Sequence, residues 1–121
     1  GKRMLVYKEF EVELEFGVYD KGEGTAISLI ETQTGEYVTT ATVNLDSPDF
    51  HLGQMMHGER FVAIKDYGEN EGMTQFLIDN DFIRPKPVAS MRTGFVSVKG
   101  YLLTDAAIDL FHEQLHALKE E

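Results

Sequence analysis

The string His112-Glu113-Gln114-Leu115-His116 is the most recognisable set of residues that could do chemistry. On a helix, histidines four apart share a face and can both bind zinc, with the intervening glutamate as general base. A catalytic zinc of this kind draws its third protein ligand from a separate element. The same helix would bury Ile108, Phe111, Leu115 and Leu118, a stripe centred roughly 90° from His112 at about 100° per residue. Both histidines then sit on a solvated flank. We expect no catalytic residue, no metal and no cofactor, keep His112 and His116 as the metal candidates, and hold a zinc hydrolase as the remote alternative.

Two other clusters invite metals. His51, Met55, Met56 and His57 offer the thioether and imidazole ligands that suit Cu(I), but without a Met-x-x-Met rhythm. Loop methionines more commonly pack on a core or a partner. Asp66, Glu69, Asn70 and Glu71 gather oxygen ligands in a glycine-containing turn that could hold Ca²⁺ or Mg²⁺. The EF-hand spacing is absent, and acids before a helix are stabilised by its dipole without any ion. A small-ligand or divalent-cation protein, a sensor or sponge using this turn, is the main alternative function. Nucleophile elbows and glycine fingerprints for nucleotides are absent from the sequence.

The carboxylate ladder Glu9, Glu11, Glu13 and Glu15 alternates with Phe10, Val12, Leu14 and Phe16. Period two with that contrast is a half-buried strand, read here as Tyr7 to Tyr19. Acids two apart on a strand recur at about 6.6–6.8 Å, close to twice the roughly 3.4 Å rise per nucleotide of one DNA strand. Such a row can present phosphate-like charge to a basic groove. It can equally be a solvated face whose charges guard an edge against aggregation.

The elements that would position these residues follow from the same patterning. Asp20 to Gly24 reads as a turn, and Thr25 to Gln33 with Glu36 to Leu45 as a hairpin closing an antiparallel meander. Residues 46–60 are the least patterned and are expected as a flexible loop, followed by a short strand, Phe61 to Lys65. Asn70 can cap a helix over about 70–80 with the stripe Met73, Phe76, Leu77 and Asn80, and Asn80 suits its left-handed end. Thr93 to Leu103 is a strand burying Val96, Val98 and Leu102, and Thr104 caps a helix over 104–118. Sheet first and helices later predicts a single α+β domain with two helices over 1–121, Gly1 to Arg3 reading as a cloning remnant.

Bulk properties narrow the partners. The formal charge is −10, from 21 acids and 11 bases, which repels nucleic acids and anionic lipid and attracts basic proteins. We expect no direct nucleic-acid binding and no membrane span. The chain has no cysteine, which points to a reducing cytoplasm and excludes thiolate chemistry and cysteine-rich zinc sites.

The run FVAIKDYGENEGM, Phe61 to Met73, with the exit Ile83-x-Pro85, resembles a family of small uncharacterised proteins of bacterial plasmids, phages and conjugative elements. The family pattern is I-K-D-Y-S-E-N-E-G-M, a short helix, a glycine-containing strand and an L-T-D-E-A helix start. IKDYGENEGM, RTGFVSV and LLTDAAIDLF occupy those places here, and Phe10 to Gly17 and Ala41 to Asn44 match its earlier strands. Gly68 stands where the family has serine, and the segment 46–60 is longer and richer in Met and His. The resemblance implies an accessory protein acting inside a bacterial host cell; it supplies no activity, and the family lacks H-E-x-x-H.

The combined expectation is a non-catalytic acidic accessory protein that binds and modulates a host or defence protein. Its partner would carry a basic surface and meet Glu9, Glu11, Glu13, Glu15, Asp66, Tyr67, Glu69 and Glu71. A homodimer is compatible with an exposed edge strand.

Overall fold

Val12, Leu14 and Phe16 alternate with Glu11, Glu13 and Glu15, so one strand face can enter a core while the other stays in water. The computed structural model, which describes residues 4–19 and 24–119, has this arrangement. Strands β1 (Leu5–Tyr7), β2 (Phe10–Val18), β3 (Thr25–Glu31) and β4 (Tyr37–Thr40) form an antiparallel meander in that order. The predicted turn at residues 20–23 lies outside the described residues.

The expected strand Tyr7 to Tyr19 is interrupted near its start. Lys8 adopts a left-handed conformation (φ 55°), and with Glu9 it forms the two-residue turn between β1 and β2. Glu9 therefore leaves the ladder, which is three carboxylates long on β2.

The expected strand Glu36 to Leu45 serves two sheets. After Ala41, β5 (Thr42–Val43) opens a second antiparallel sheet ordered β5-β6-β8-β7, with β6 (Phe61–Ile64), β7 (Ala89–Thr93) and β8 (Val96–Leu102). Ala41 is fully buried at the junction. Its N–H donates to the Ile27 carbonyl and its own carbonyl accepts from Lys65 N–H, both at 2.8 Å.

Strand β6 reads Phe-Val-Ala-Ile without alternation and is buried along its length, because both of its faces are covered. Val62 and Ile64 join the main core with β2, β3, α2 (Met73–Asp79) and α3 (Asp105–Lys119). Phe61 and Ala63 join a second core with Phe50 of α1 (Pro48–His57), Met91 and Val98.

Helix α1 occupies the segment expected as a loop, so the described residues form three α-helices where two were expected. Ser47 Oγ accepts from Phe50 N–H at 3.1 Å, Pro48 takes the first turn and Asp49 faces the positive end of the helix. Its periodicity is inverted: it buries Phe50 and Gly53 while Leu52, Met55 and Met56 face solvent, so no amphipathic stripe is visible. Two other helix ends also differ from expectation. Asn70 does not cap α2, which starts three residues later after a 3₁₀ turn (Gly68–Asn70), and the left-handed residue after it is Asp81 (φ 62°), not Asn80. The expected strand Thr93 to Leu103 takes in the last residue of β7, the hairpin turn and β8; Val98 is buried while Val96 and Leu102 are half-buried. Thr104 caps α3 as expected, accepting from Ala107 N–H at 3.1 Å.

The Phe61 ring fills a slot made by two glycines. A Cβ placed on Gly53 would meet the ring at 2.4 Å, and one placed on Gly100 at 2.6 Å. Phe50 closes the slot edge-on, with ring centroids 5.6 Å apart. Alanine at position 53 gains about 1 kcal/mol of helix propensity, but the ring has no room to retreat and overpacking costs typically about 1–3 kcal/mol. Gly53→Ala is therefore expected to lower stability by about 1 kcal/mol net, read as a lower urea midpoint with an unchanged slope.

Candidate functional site

The outer face of the first sheet is set by strand register. Glu11 lies opposite Val6, Glu13 opposite Ile30 and Glu15 opposite Ser28. One strand further, Tyr37 and Thr40 continue those rows, with Tyr37 Oη and Thr40 Oγ1 2.8 Å apart. Helices α2 and α3 pack on the opposite, inner face, where Phe16 stacks on Phe111 at 5.4 Å and Tyr7 meets Phe76 edge-on at 5.3 Å. Among the described residues, no cation forms an ion pair with Glu11, Glu13 or Glu15. The row lies beside the exposed Val6 and Tyr37.

Beyond the β1 pairing of residues 10–12, a side chain meets the edge of β2. Gln114 of α3 accepts from Phe16 N–H through Oε1 and donates to the Leu14 carbonyl through Nε2, both at 2.8 Å. Its carboxamide takes the place that a peptide unit of another strand would fill. A groove of about 810 Å³ runs beside this edge, lined by Met4, Leu5, Leu110 and Leu118 and by the three ladder glutamates.

The acidic turn between β6 and α2 is largely occupied by its own architecture. Asp66 accepts from Gly72 N–H (2.8 Å, Oδ1) and Thr74 N–H (2.9 Å, Oδ2), capping α2 from six residues before Gly72. Gly72 needs no side chain at the cap and adopts φ 98°. Burial alone would raise the Asp66 carboxyl, but hydrogen bonds from Thr74 and from the Gly72, Thr74 and Met73 backbone hold it below its ordinary 3.8. Asn70 is fully buried and reaches β4, accepting from Thr39 Oγ1 at 2.6 Å and donating to the Thr40 carbonyl at 2.7 Å. Glu69 pairs with Lys65 at 2.7 Å, and Lys8 Nζ donates to its carbonyl at 2.6 Å. Tyr67 is half-buried against the second core, under Lys65, while Glu71 is exposed. The β1–β2 turn with Glu9 thus touches the acidic turn. Burial, and then the nearby Asp66 and Glu69 charges, push the Tyr7 hydroxyl upward.

The histidines are dispersed. His112 Nε2 lies 2.5 Å from Glu59 Oε1, joining α3 to the 3₁₀ turn Gly58–Arg60, and His116 is exposed one turn on. His51 pairs with Asp46 at 3.1 Å, and Met55 and Met56 face solvent on α1. Among the described residues, no three His, Asp or Glu side chains are arranged to hold a metal ion. Nor, among those residues, is any helix long and apolar enough to cross a membrane.

Comparisons with family models, curated proteins and solved structures gave no match. The site thus stands on this chain's own geometry, an α+β scaffold of two antiparallel sheets whose first sheet has an acidic outer face.

Two substitutions test the turn. Asn70→Ala removes both bonds to β4 and leaves the Thr40 carbonyl without its partner, an expected loss of about 2–3 kcal/mol in chemical unfolding. Asp66→Ala removes a helix cap, an expected loss of about 1 kcal/mol at neutral pH. The folded Asp66 carboxyl lies below 3.8, so its contribution is complete above that value and is lost as pH falls through the lower folded one. Urea midpoints of wild type and Asp66→Ala should therefore converge in strong acid.

Proposed function

We propose that this is a non-catalytic acidic binding protein of a bacterial mobile element or phage, acting in the cytoplasm. Through the outer face of its first sheet it captures and modulates a host or defence protein that carries a basic surface. One observation supports this reading: Glu11, Glu13 and Glu15 form a row that, among the described residues, has no ion-pair partner and no covering helix. Their period-two spacing, about 6.6–6.8 Å, suits cationic side chains that otherwise follow a nucleic-acid backbone. Glu9 and Glu71 extend the negative field at the end where the two acidic turns touch. The sequence resemblance to mobile-element proteins supports the cellular setting.

The cation-sponge alternative is weaker on geometry. Both Asp66 oxygens already accept backbone N–H groups and Glu69 is paired with Lys65, leaving few free ligands at that turn.

Affinity capture from bacterial lysate at low and high salt tests the proposal. Wild type should retain a basic protein at low salt and release it at high salt. Glu11→Gln/Glu13→Gln/Glu15→Gln should lose that protein while its melting temperature stays level or rises slightly, since like-charge repulsion is removed. Undiminished capture by the triple variant would refute the role of the ladder.

A further inference from the structure

The acids of this chain are unevenly distributed. Between Asp81 and Asp105 there is none, and the same interval holds Arg84, Lys86, Arg92 and Lys99, four of the 11 bases. Most of this interval is the β7–β8 hairpin. Met91 and Val98 point into the second core, so their neighbours Ser90, Arg92, Ser97 and Lys99 share the opposite, exposed face. Among the described residues Lys86, Arg92 and Lys99 have no ion-pair partner, whereas Arg84 lies 3.9 Å from Asp105. At the tip, Gly94 (φ 58°) turns the chain and leaves Phe95 fully exposed, at 105% of its reference area.

A bare aromatic ring on a hairpin that carries exposed cations is the chemical complement of the groove beside β2. That groove is apolar along Met4, Leu5, Leu110 and Leu118 and anionic along Glu11, Glu13 and Glu15. At about 810 Å³ it has room for a phenyl ring and the residues beside it. We propose that the β7–β8 hairpin of one copy docks Phe95 in this groove on a second copy, with Arg92 and Lys99 on the ladder glutamates. The inference rests on the acidic-face reading and adds regulation to it: self-association and capture of a foreign basic protein compete for one surface. Two chains of charge −10 repel at long range, but a Debye length of about 8 Å at physiological salt screens that repulsion across a domain's width and spares contacts at ion-pair distance. Apolar burial at the centre with charges around it is the usual anatomy of a specific interface.

Sedimentation velocity over a wide concentration range at physiological salt provides the test, using the full chain. Wild type should self-associate in a concentration-dependent way. Phe95→Ser should weaken association about tenfold or more, as loss of a central aromatic anchor does. Arg92→Glu/Lys99→Glu and Glu11→Lys/Glu13→Lys/Glu15→Lys should each lose self-association, and mixing these two charge-reversed chains should restore it between them. The altered side chains are exposed except for the half-buried Glu11, and circular dichroism verifies that each variant folds. Wild type that stays monomeric, association indifferent to Phe95→Ser, or no rescue on mixing would each overturn the inference. Fluorescence anisotropy with a labelled oligolysine peptide separates the two ideas. If the peptide binds wild type but not the triple Gln variant while wild type remains monomeric, the acidic-face reading stands and self-docking falls. If the peptide binds both equally, the acidic-face reading falls.

Discussion

A strand that passes from one sheet to another must satisfy backbone groups that neither ladder can reach alone, and the fold depends on how residues 39–41 do this. Ala41 divides its two groups, giving its N–H to β3 and its carbonyl to the residue after β6. The Thr40 carbonyl, one residue earlier, bonds instead to the buried amide of Asn70. An unpaired carbonyl in that position would carry the desolvation cost of a buried polar group. Asn70 removes this cost, and in doing so it fixes the turn that leads into α2. Asn70 thus ties the sheet junction to the acidic turn, and Asp66 ties that turn to the start of α2.

That arrangement explains why acidic residues of similar appearance behave differently. Asp66 and Glu69 are engaged locally, by helix N–H groups and by Lys65. Among the described residues Glu11, Glu13 and Glu15 have no such partners, and they stand on a strand whose other face is buried in the core. Fixed, unpaired charge on a rigid element is better suited to recognition than charge on a mobile segment, because less side-chain and backbone freedom is lost on binding. Acidic content alone did not separate these two groups; their hydrogen-bond partners do.

Much of the architecture was legible in the sequence because its cues are local. The alternation in β2, the hairpin of β3 and β4 and the Thr104 cap depend on residues a few positions apart. Features that depend on distant partners were not legible. Helix α1 carries the starting signals Ser47, Pro48 and Asp49, but its buried face is a glycine pressed on Phe61, so the hydrophobic period is lost. Asn70 looked like a cap because asparagine commonly is one, and only its contact with β4 shows otherwise. The place of Gln114 on the edge of β2 had no signal at all, since it lay within a motif that suggested zinc. The basic character of the second hairpin was readable in principle, as an absence of acids between Asp81 and Asp105.

Gln114 also has a consequence for how the chain is made. It joins Phe16 and Leu14 across 98 and 100 positions, so this cover on the edge of β2 can form on the ribosome only after α3 has emerged. During that interval the strand is an unprotected template for pairing with other nascent chains. The glutamates at 11, 13 and 15 are already in place by then, and charges along an open strand oppose stacking of one chain on another. The acidic row of the finished protein thus has an earlier use, as a guard over a contact that must wait for a distant residue.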